Sequence, residues 1–395
     1  MEYKLEDICI LITDGSHFSP KGEPVGYPML SVKDMREYGF DYSNCKYISK
    51  NDFEIMKKSG CVPKKGDVLV AKDGSYMKEI FVCNESKEEA ILSSIALFRP
   101  NTKIIIPEFL CYLLKTPIVY NYIRNNCVSG SALPRIILRS FRAIKIDIPN
   151  IKIQNKIVNI LCAIDKKIKC NNEINDNLLE QLLSIYKKIF DNNVVRKVCK
   201  AEEFFDITIG KTPPRKEMEC FTTNPEDIRW ISIADMGKNG LFINSTNERL
   251  TMDAIKKYNV VIIPENTVIL SFKLTIGRIA ITDVKCATNE AIAHFKATNN
   301  DINPYLYCYL KTFKFVELGS TSSIATAINS KIVKSMPFVI PNDNELRKFN
   351  LIAMPILKQI QNNEHEINRL SNVRNELLPK LISGEIDVSN IKLDL

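Results

Sequence analysis

No stretch of this chain approaches the roughly 18 uncharged apolar residues that a membrane-spanning helix requires. The N-terminal residues MEYKLEDICI do not have the shape of a signal peptide. These two absences lead us to expect a cytoplasmic protein. At 395 residues, the chain is long enough for two or three domains, each with its own core.

Metal-binding and disulfide patterns are also missing. The twelve cysteines are scattered from Cys9 to Cys308, with no C-x-x-C pair and no paired spacing with histidine. This distribution favours reduced, mostly buried thiols over a metal site or a disulfide framework. The three histidines, His17, His294 and His365, lie far apart in different predicted elements. We expect no metal site, with His294 satisfied within a strand and His365 solvated on a helix.

Catalytic motifs are incomplete. Residues 210–212 (Gly-Lys-Thr) resemble the end of a phosphate-binding P-loop, but that pattern requires a glycine where Phe205 stands. Residues 303–305 (Asn-Pro-Tyr) are close to the Asn-Pro-Pro-Tyr loop of adenine methyltransferases, yet they open a helical segment, which favours a capped helix start. No glycine-rich loop for S-adenosylmethionine follows a strand, and no catalytic triad or paired-carboxylate spacing is present. We therefore predict no catalytic residues and interpret the chain as non-catalytic by itself.

Two long amphipathic segments are the strongest positive signal. In residues 151–190, apolar side chains recur every three or four positions without a proline or glycine, which predicts a helix with a narrow, coiled-coil-like seam. Residues 345–382 carry a second seam of the same kind. At about 1.5 Å per residue, the first helix would be a rod of roughly 57 Å that needs a partner along its length. We predict that the two helices pack as an antiparallel coiled coil.

Each seam contains an asparagine near its middle, Asn171 in the first and Asn363 in the second. Antiparallel packing about the helix centres would bring these two side chains opposite each other. A polar pair inside an apolar seam lowers stability but fixes register and orientation. The alternative is that both asparagines face solvent on imperfect helices.

An internal repeat organises the rest of the chain. LEDICILITDGS is echoed by EEFFDITIGKTP, MLSVKDM by WISIADM, and PEFLCYLLKT by NPYLYCYLKT. Both copies mix strand and helix patterns and precede a long helix, so the predicted fold class is α+β, with two mixed α/β domains separated by two long helices. The predicted segments are a first globule (1–150), a central spacer helix (151–190), a second globule (191–343), a C-terminal spacer helix (344–384) and a tail (385–395).

The charge balance is modestly basic. Lysine and arginine number 54 against 46 acidic residues, which gives a net charge of +8 and a lean toward polyanionic partners. A genome-wide bias toward Lys, Asn and Ile would give the same composition. Two divergent basic globules on a helical spacer suit the reading of two short DNA sites, since dimeric DNA readers place half-sites about 34–36 Å apart. Different globules would read different half-sites.

These features together resemble the specificity subunit of type I restriction-modification systems. The resemblance rests on the repeated openings LEDI…DGS and FFDITIGKTP, on MLSVKDM and WISIADM, and above all on the terminal ELLPKLISGEIDV, and it covers nearly the whole chain. It implies two target recognition domains that bind a split double-stranded DNA sequence, and two modification subunits held by the long helices. It also implies that S-adenosylmethionine binds the modification subunits for N6-adenine methylation. ATP with Mg would serve the restriction subunits, so no cofactor is expected in this chain.

DNA-contacting residues are predicted on the loops that recur in both globules, because binding residues are often carried by loops on a rigid scaffold. In the first globule the candidates are Ser16, His17, Lys33, Lys72, Ser75, Lys78, Ser129, Ser131 and Arg135. In the second globule they are Lys211, Thr212, Arg215, Lys273, Arg278, Ser320, Thr321, Ser322 and Asn329. Lysine and arginine would mostly neutralise phosphates, while arginine and asparagine can also bond base edges. Plain solvation is the alternative for each of them.

Three functions stay open from the residues alone. The first is a DNA-recognition subunit of a methylation and restriction complex, which the resemblance favours. The second is a self-contained DNA-modifying enzyme with an unrecognised site. The third is a non-enzymatic scaffold that binds protein, whose binding would lack the steep salt dependence of phosphate contacts. The outward lysines of the helices, Lys166, Lys167, Lys187 and Lys188, would dock modification subunits in the first case and be merely solvated otherwise.

Overall fold

A computed structural model describes residues 2–74, 76–130, 134–191, 195–318 and 328–391. The chain divides into two compact units, one formed by residues 1–166 with 371–395 and the other by residues 167–370. The mixture of helices and sheets confirms the predicted α+β class. The unit limits fall inside the long helices, so the domain boundaries given above stay a prediction. Within the described residues, no helix is both long and apolar enough to cross a membrane.

The first unit contains most of its strands before residue 101. The strands are Glu2–Lys4 (β1), Cys9–Asp14 (β2), Tyr27–Leu30 (β3), Met35–Arg36 (β4), Gly39–Phe40 (β5), Lys46–Ile48 (β6), Val68–Ala71 (β7), Ile80–Val82 (β8), Ala90–Ile91 (β9), Ile95–Pro100 (β10), Val128–Ser129 (β11), Arg135–Ile136 (β12) and Lys145–Asp147 (β13). The helices are Leu5–Ile8 (α1), Lys50–Lys58 (α2), Pro107–Lys115 (α3), Pro117–Asn126 (α4), Leu138–Arg142 (α5) and Ile151–Phe190 (α6), of which α6 continues into the second unit.

A four-stranded antiparallel sheet is the centre of the first unit. Its order is β2-β10-β7-β8, and a smaller sheet has the order β6-β3-β9 with β3 and β9 parallel. Val68 and Val70 pack into one core, whereas Leu69 and Ala71 pack into another on the opposite face. Because both faces of β7 are covered, its sequence VLVA is a continuous apolar run rather than an alternating one.

The second unit repeats this plan with additions. Its strands are Val198–Lys200 (β14), Asp206–Ile209 (β15), Phe221–Thr222 (β16), Ile228–Ile231 (β17), Phe242–Ile243 (β18), Glu248–Leu250 (β19), Val268–Ser271 (β20), Ile279–Thr282 (β21), Cys286–Thr288 (β22), Ile292–Lys296 (β23) and Pro337–Val339 (β24). Its helices are Ala201–Phe204 (α7), Ile233–Lys238 (α8), Met252–Tyr258 (α9), Asn303–Thr312 (α10), Ser330–Ser335 (α11) and Asp343–Ser383 (α12), of which α12 continues into the first unit.

The strand order shows that the sequence repeat is a structural repeat. The second unit has the order β15-β23-β20-β21-β18, in which the first four strands match β2-β10-β7-β8 of the first unit in sequence order and pairing direction. The outer pair β1-β13 likewise has its counterpart in β14-β24. The strand β18 is added parallel to β21. The same backbone plan therefore supports two different sets of side chains.

The echoed MLSVKDM and WISIADM segments are strands only at their beginnings. In each, the strand stops before a serine, Ser31 or Ser232, whose backbone N–H donates to an aspartate three residues later, Asp34 or Asp235. This capping box starts a short helical turn. Residues 107–126 form two consecutive helices, α3 and α4, because Pro117 begins a new helix with Thr116 as its cap.

Within the second unit, α6 and α12 pack antiparallel around both seam asparagines. Asn171 is 1% exposed and donates to Glu366 Oε2 at 2.8 Å, and Asn363 is 6% exposed and donates to Asn175 Oδ1 at 2.8 Å. Both are buried, so the solvent-facing alternative is wrong. The predicted direct pair of Asn171 with Asn363 is also wrong, because each bonds a residue about one helical turn away from the other. Two polar contacts, not one, interrupt the seam.

Within the first unit, the same two helices are joined by charge. The Arg374 guanidinium of α12 donates to Asp165 of α6 at 2.8 Å and to Glu37 at 2.8 Å. The Tyr112 hydroxyl donates to the same Asp165 carboxylate at 2.5 Å. Beyond α12, the chain turns at Gly384 and returns, so that Val388 is buried in the core of this unit. The GEIDV segment, residues 384–388, therefore belongs to the first unit.

Candidate nucleic-acid interface

Four loops of the first unit are hydrogen-bonded to one another beside the central sheet. The loop after β2 bonds the β9–β10 turn through Gly15 N–H to Ile95 O, at 3.1 Å, and through Ser16 N–H to the Ile91 carbonyl, at 2.8 Å. The loop after β7 bonds that turn through Lys72 N–H to Ser94 O, at 2.8 Å. It also bonds the segment before β12, because Gly74 N–H donates to Pro134 O at 2.9 Å. Four of the nine candidates of the first globule, Ser16, His17, Lys72 and Arg135, lie on or directly beside this loop cluster.

The second unit has the same frame. Gly210 N–H donates to Ile292 O at 3.1 Å, and Lys211 N–H donates to the Thr288 carbonyl at 2.9 Å. Phe272 N–H donates to Ala291 O at 2.9 Å, as Lys72 N–H does to Ser94 O in the first unit. The two units therefore hold corresponding loops by corresponding backbone bonds.

The glycine at the start of each frame allows a close approach of two chain segments. A Cβ on Gly15 would lie 2.2 Å from the Ile91 carbonyl oxygen, and one on Gly210 would lie 2.1 Å from Thr288 Oγ1. Neither distance is possible for a real side chain. The Gly-Lys-Thr sequence at 210–212 thus fits a tightly packed strand end, which supports the rejection of a P-loop there.

Charges in the loop cluster of the first unit are largely paired. Lys72 is only 8% exposed, and its Nζ lies 3.1 Å from Asp14 Oδ2 and 3.5 Å from Asp73 Oδ1. Asp14 also lies 3.4 Å from His17 Nε2, and Asp73 lies 3.9 Å from Arg135 Nε. His17 and Arg135 are exposed, with side-chain exposures of 78% and 61%. The exposed His17 and Arg135 side chains can reach a ligand, whereas Lys72 fastens two loops together.

The other candidates of the first globule are more dispersed. Ser16 is half-buried and its hydroxyl donates to Phe18 O at 2.8 Å, while Lys33 and Ser129 are exposed. Lys78 is exposed and lines a cleft with Tyr112. Among the described residues, none of the backbone bonds that join the loops of the cluster involves Lys78. Ser75 and Ser131 lie outside the described residues.

In the second unit, Arg215 is the most strongly positioned candidate. Its guanidinium lies 4.2 Å from the Phe221 ring centre and 4.8 Å from that of Trp230, and it forms a 2.9 Å ion pair with Glu248. Trp230 in turn donates from Nε1 to the Lys211 carbonyl at 3.3 Å. These contacts connect the loop after β15 to the strands β16, β17 and β19.

The remaining candidates of the second globule divide between exposed and structural positions. Lys211 and Lys273 are exposed, while the Thr212 hydroxyl donates to Glu290. Arg278 is half-buried and its Nη1 donates to Ile233 O at 2.6 Å, which fastens α8 to the β20–β21 turn. Asn329 is exposed and caps α11 by accepting from Ile332 N–H. Ser320, Thr321 and Ser322 lie outside the described residues.

His294 supports the loop frame from inside the sheet. It is fully buried, with Thr208 Oγ1 2.9 Å from Nδ1 and Thr288 Oγ1 2.7 Å from Nε2. Burial, with a smaller contribution from Lys296, lowers the pKa of His294 to about 4. The prediction of a satisfied strand histidine is therefore confirmed.

His365 differs from its prediction. Its side chain is about half exposed, yet Nε2 lies 2.9 Å from both oxygens of the buried Asp283 carboxylate. The neighbouring Glu364 is buried and accepts from Leu241 N–H at 2.6 Å and Phe242 N–H at 2.9 Å. Burial raises the pKa of Glu364 to about 7. These adjacent residues attach α12 to the second globule, and neither is simply solvated.

The acidic members of the loop clusters were missed by sequence reasoning. Asp14, Asp73 and Glu290 each contact a predicted candidate, namely Lys72, Arg135 or Thr212. Asp14 and Asp73 stand in the motifs DGS and KDG that marked the loops, so their positions were visible. They were not predicted because the candidates were groups that bind phosphate, and these three residues are carboxylates.

The two units share one backbone frame and present different exposed side chains, which defines a duplicated recognition protein. The described residues contain no recognisable catalytic constellation. The chain belongs to the family of the Type I restriction modification DNA specificity domain, whose profile matches residues 1–180 and 195–375. The predicted resemblance is thereby confirmed.

Curated relatives span nearly the same length. The chain is 23% identical over 428 aligned positions to the type I restriction enzyme HindI specificity subunit of Haemophilus influenzae, which covers 87% of this chain and 91% of that protein. It is also 23% identical to the MjaIX specificity subunit of Methanocaldococcus jannaschii, over 73% and 71% of the two chains. The crystal structure of a type I S subunit from M. genitalium shares the fold, with a TM-score of 0.54, 16% identity, and coverage of 96% and 95%.

Proposed function

We propose that this chain is the DNA-recognition subunit of a type I restriction-modification complex, and that each unit reads one half of an asymmetric, split target. The observation that carries the proposal is the repeated loop frame. Gly15 and Gly210 begin equivalent loops with equivalent backbone bonds, but the side chains that follow are Ser16 and His17 in one unit and Lys211 and Thr212 in the other. A shared scaffold with different presented groups suits two different half-sites.

We assign DNA contact first to the exposed candidates of each globule. In the first unit these are His17, Lys33, Ser129 and Arg135, and in the second they are Lys211, Arg215, Lys273 and Asn329. Lys72 and Arg278 are assigned to holding loops, because Lys72 is buried against Asp14 and the half-buried Arg278 donates to the Ile233 carbonyl. Neutral outer groups such as Ser129 and Asn329 would bond phosphates or base edges.

The long helices are proposed to set the spacing of the half-sites and to hold two modification subunits. Lys166, Lys187 and Lys188 are exposed on α6, while Lys167 pairs with Glu366 at 3.4 Å. On this proposal the chain has no cofactor of its own. The modification subunits bind S-adenosylmethionine for adenine methylation, and restriction subunits use ATP with Mg.

The primary test is a comparison of genome-wide adenine methylation with and without this gene. We expect that deletion removes methylation at one bipartite motif with unlike halves, and that the intact gene restores it. Unchanged methylation would contradict the proposal. Methyl transfer or DNA cleavage by the purified chain alone would instead establish a self-contained enzyme.

A second test measures the phosphate contacts. In the purified complex with modification subunits, the double substitution Lys211→Gln and Lys273→Gln should lower the salt slope of DNA affinity by about 2, since each lost phosphate contact removes about 0.9. The matched control changes two exposed lysines of the same unit that lie outside the long helices and the loop cluster, Lys256→Gln and Lys285→Gln. Equal slopes for both variants would show that the second loop cluster does not meet DNA. Salt-insensitive binding by the unaltered complex would favour a protein-binding scaffold.

A further inference from the structure

Leu274, in the turn between β20 and β21, has a backbone conformation that leucine rarely adopts. Its φ is +60°, in the left-handed region where a Cβ crowds the backbone. Among the described residues, the other non-glycine residues with positive φ are Met77, which is buried, and Asn259 and Asn266, of a type that tolerates this region. Leu274 is 96% exposed. Its side chain therefore gains nothing from the rest of the chain to offset the strain.

The corresponding position in the first unit identifies the source of this conformation. There the turn between β7 and β8 has Gly74, with φ +67°. The turns match in their first part, since Met77 N–H donates to Ala71 O at 2.8 Å and Gly277 N–H donates to Ser271 O at 3.0 Å, and the first turn has one more residue after that point. The scaffold imposes a left-handed residue at this point, and glycine meets the requirement without strain. The second unit has a large apolar side chain there instead.

The surroundings of Leu274 are those of the second loop cluster. Phe272 N–H is bonded to the β22–β23 turn, to which Lys211 N–H is also bonded. Lys273, directly before Leu274, is exposed, and Ile276 is 38% exposed. An exposed apolar side chain beside an exposed lysine fits a contact with the bases of DNA whose phosphates that lysine would neutralise. Apolar side chains contact the thymine methyl group in the major groove or enter base steps in the minor groove.

We infer that Leu274 is a specificity-determining residue that makes an apolar contact with base surfaces in the half-site read by the second unit. This inference rests on the proposed function and adds an asymmetry to it. The first unit, with Gly74 at the equivalent position, makes no such contact. Discrimination by Leu274 is therefore confined to one half of the target.

The test uses the complete complex with modification subunits and a library of duplexes with a randomised centre. Leu274→Asn removes the apolar group and suits the left-handed backbone, whereas Leu274→Met keeps an apolar group. Asn266→Gly is the control, because it relaxes a positive-φ residue of the same unit outside the turn. Thermal unfolding of each variant shows that it folds, and we expect no loss of midpoint for Leu274→Asn.

We expect the unaltered chain, Leu274→Met and Asn266→Gly to select the same bipartite motif. Leu274→Asn should lose preference at one or two adjacent base pairs of one half and bind the original motif about tenfold more weakly, which corresponds to about 1.4 kcal/mol. Uracil in place of thymine at those pairs, tested on the unaltered complex, separates the two modes. Weaker binding indicates contact with the methyl group, and unchanged binding indicates insertion at a base step.

Two results would overturn the inference while leaving the proposed function intact. One is selection of the same motif with the same affinity by Leu274→Asn. The other is a defect of Leu274→Asn in assembly with the modification subunits but not in DNA selection, which would make Leu274 a protein contact. If the unaltered complex selects no motif, the proposed function fails, and the role of Leu274 fails with it.

Discussion

The buried His294 makes the stability of the second unit depend on pH in a predictable direction. We propose to replace the histidine and one of its partners by the residues of the first unit, His294→Leu with Thr288→Ile. In the matching strand register, Leu97 faces Thr13 as His294 faces Thr208, and Ile91 holds the place of Thr288. The double variant therefore reproduces an apolar arrangement that this fold already contains.

The magnitude follows from the pKa of His294. In the folded chain this pKa is about 4, below the ordinary histidine value of about 6.5. Between these values the unfolded state binds more protons than the folded state, so acid favours unfolding. The contribution of neutral, buried His294 to the free energy of unfolding is complete above about pH 6.5 and is lost as the pH falls toward 4. At pH 5 the expected loss is about 2 kcal/mol, and the low-pH limit is about 3 kcal/mol.

The assay is urea unfolding at pH 8, 6 and 5, followed by the fluorescence of Trp230. Because this is the single tryptophan and is buried in the second unit, it reports on that unit. Other titrating groups, including Glu364, are shared by both proteins and cancel in the comparison. We expect the unaltered chain to lose about 2 kcal/mol more than the variant between pH 8 and pH 5. Parallel pH profiles would refute the assignment of His294 as a neutral, buried group.

Three further outcomes can be measured by thermal or urea unfolding. Gly210→Ala should destabilise the second unit by about 2 kcal/mol or more, because its Cβ would collide with a strand end. The control Gly22→Ala should be nearly neutral, because its Cβ would meet only the flexible Lys46 side chain. Equal effects of the two variants would contradict the close-approach argument. Arg374→Met should cost about 2 kcal/mol in the first unit, since the partly buried Asp165 loses its cation, and a change within 0.5 kcal/mol would show that the pair contributes little. Asn171→Leu should raise the midpoint, because it extends an apolar seam, and a fall of 1 kcal/mol or more would show that its bond to Glu366 is needed for stability.

Much of the architecture could be predicted because it depends on periodicity. Apolar residues spaced by three and four positions led to both long helices, and α6 spans residues 151–190 as expected. The repeated order of motifs predicted a repeated fold, which the matching strand orders of the two units confirm. Patterns of this kind survive divergence because a core needs apolar side chains in place more than it needs particular ones.

The candidate interface was less predictable, because the state of a charged side chain depends on distant neighbours. Lys72 and Lys273 lie in equivalent turns, and both were predicted to contact DNA. Lys72 is buried between Asp14 and Asp73, whereas Lys273 is exposed. Burial and pairing of this kind arise only when separate loops are brought together. Nothing in the local sequence of either lysine distinguishes them.

The register of the long helices shows the same contrast between what the local sequence predicts and what tertiary contacts determine. The sequence alone determined that two long helices with polar interruptions exist and that they suit antiparallel packing, since helical periodicity is a local property. Only the tertiary structure decided that Asn171 meets Glu366 and that Asn363 meets Asn175. A displacement by one turn keeps every apolar residue in the seam, so the hydrophobic pattern cannot fix it. Within the second unit, contacts with the globule, such as Glu364 with the backbone of Leu241, hold α12 in the observed position.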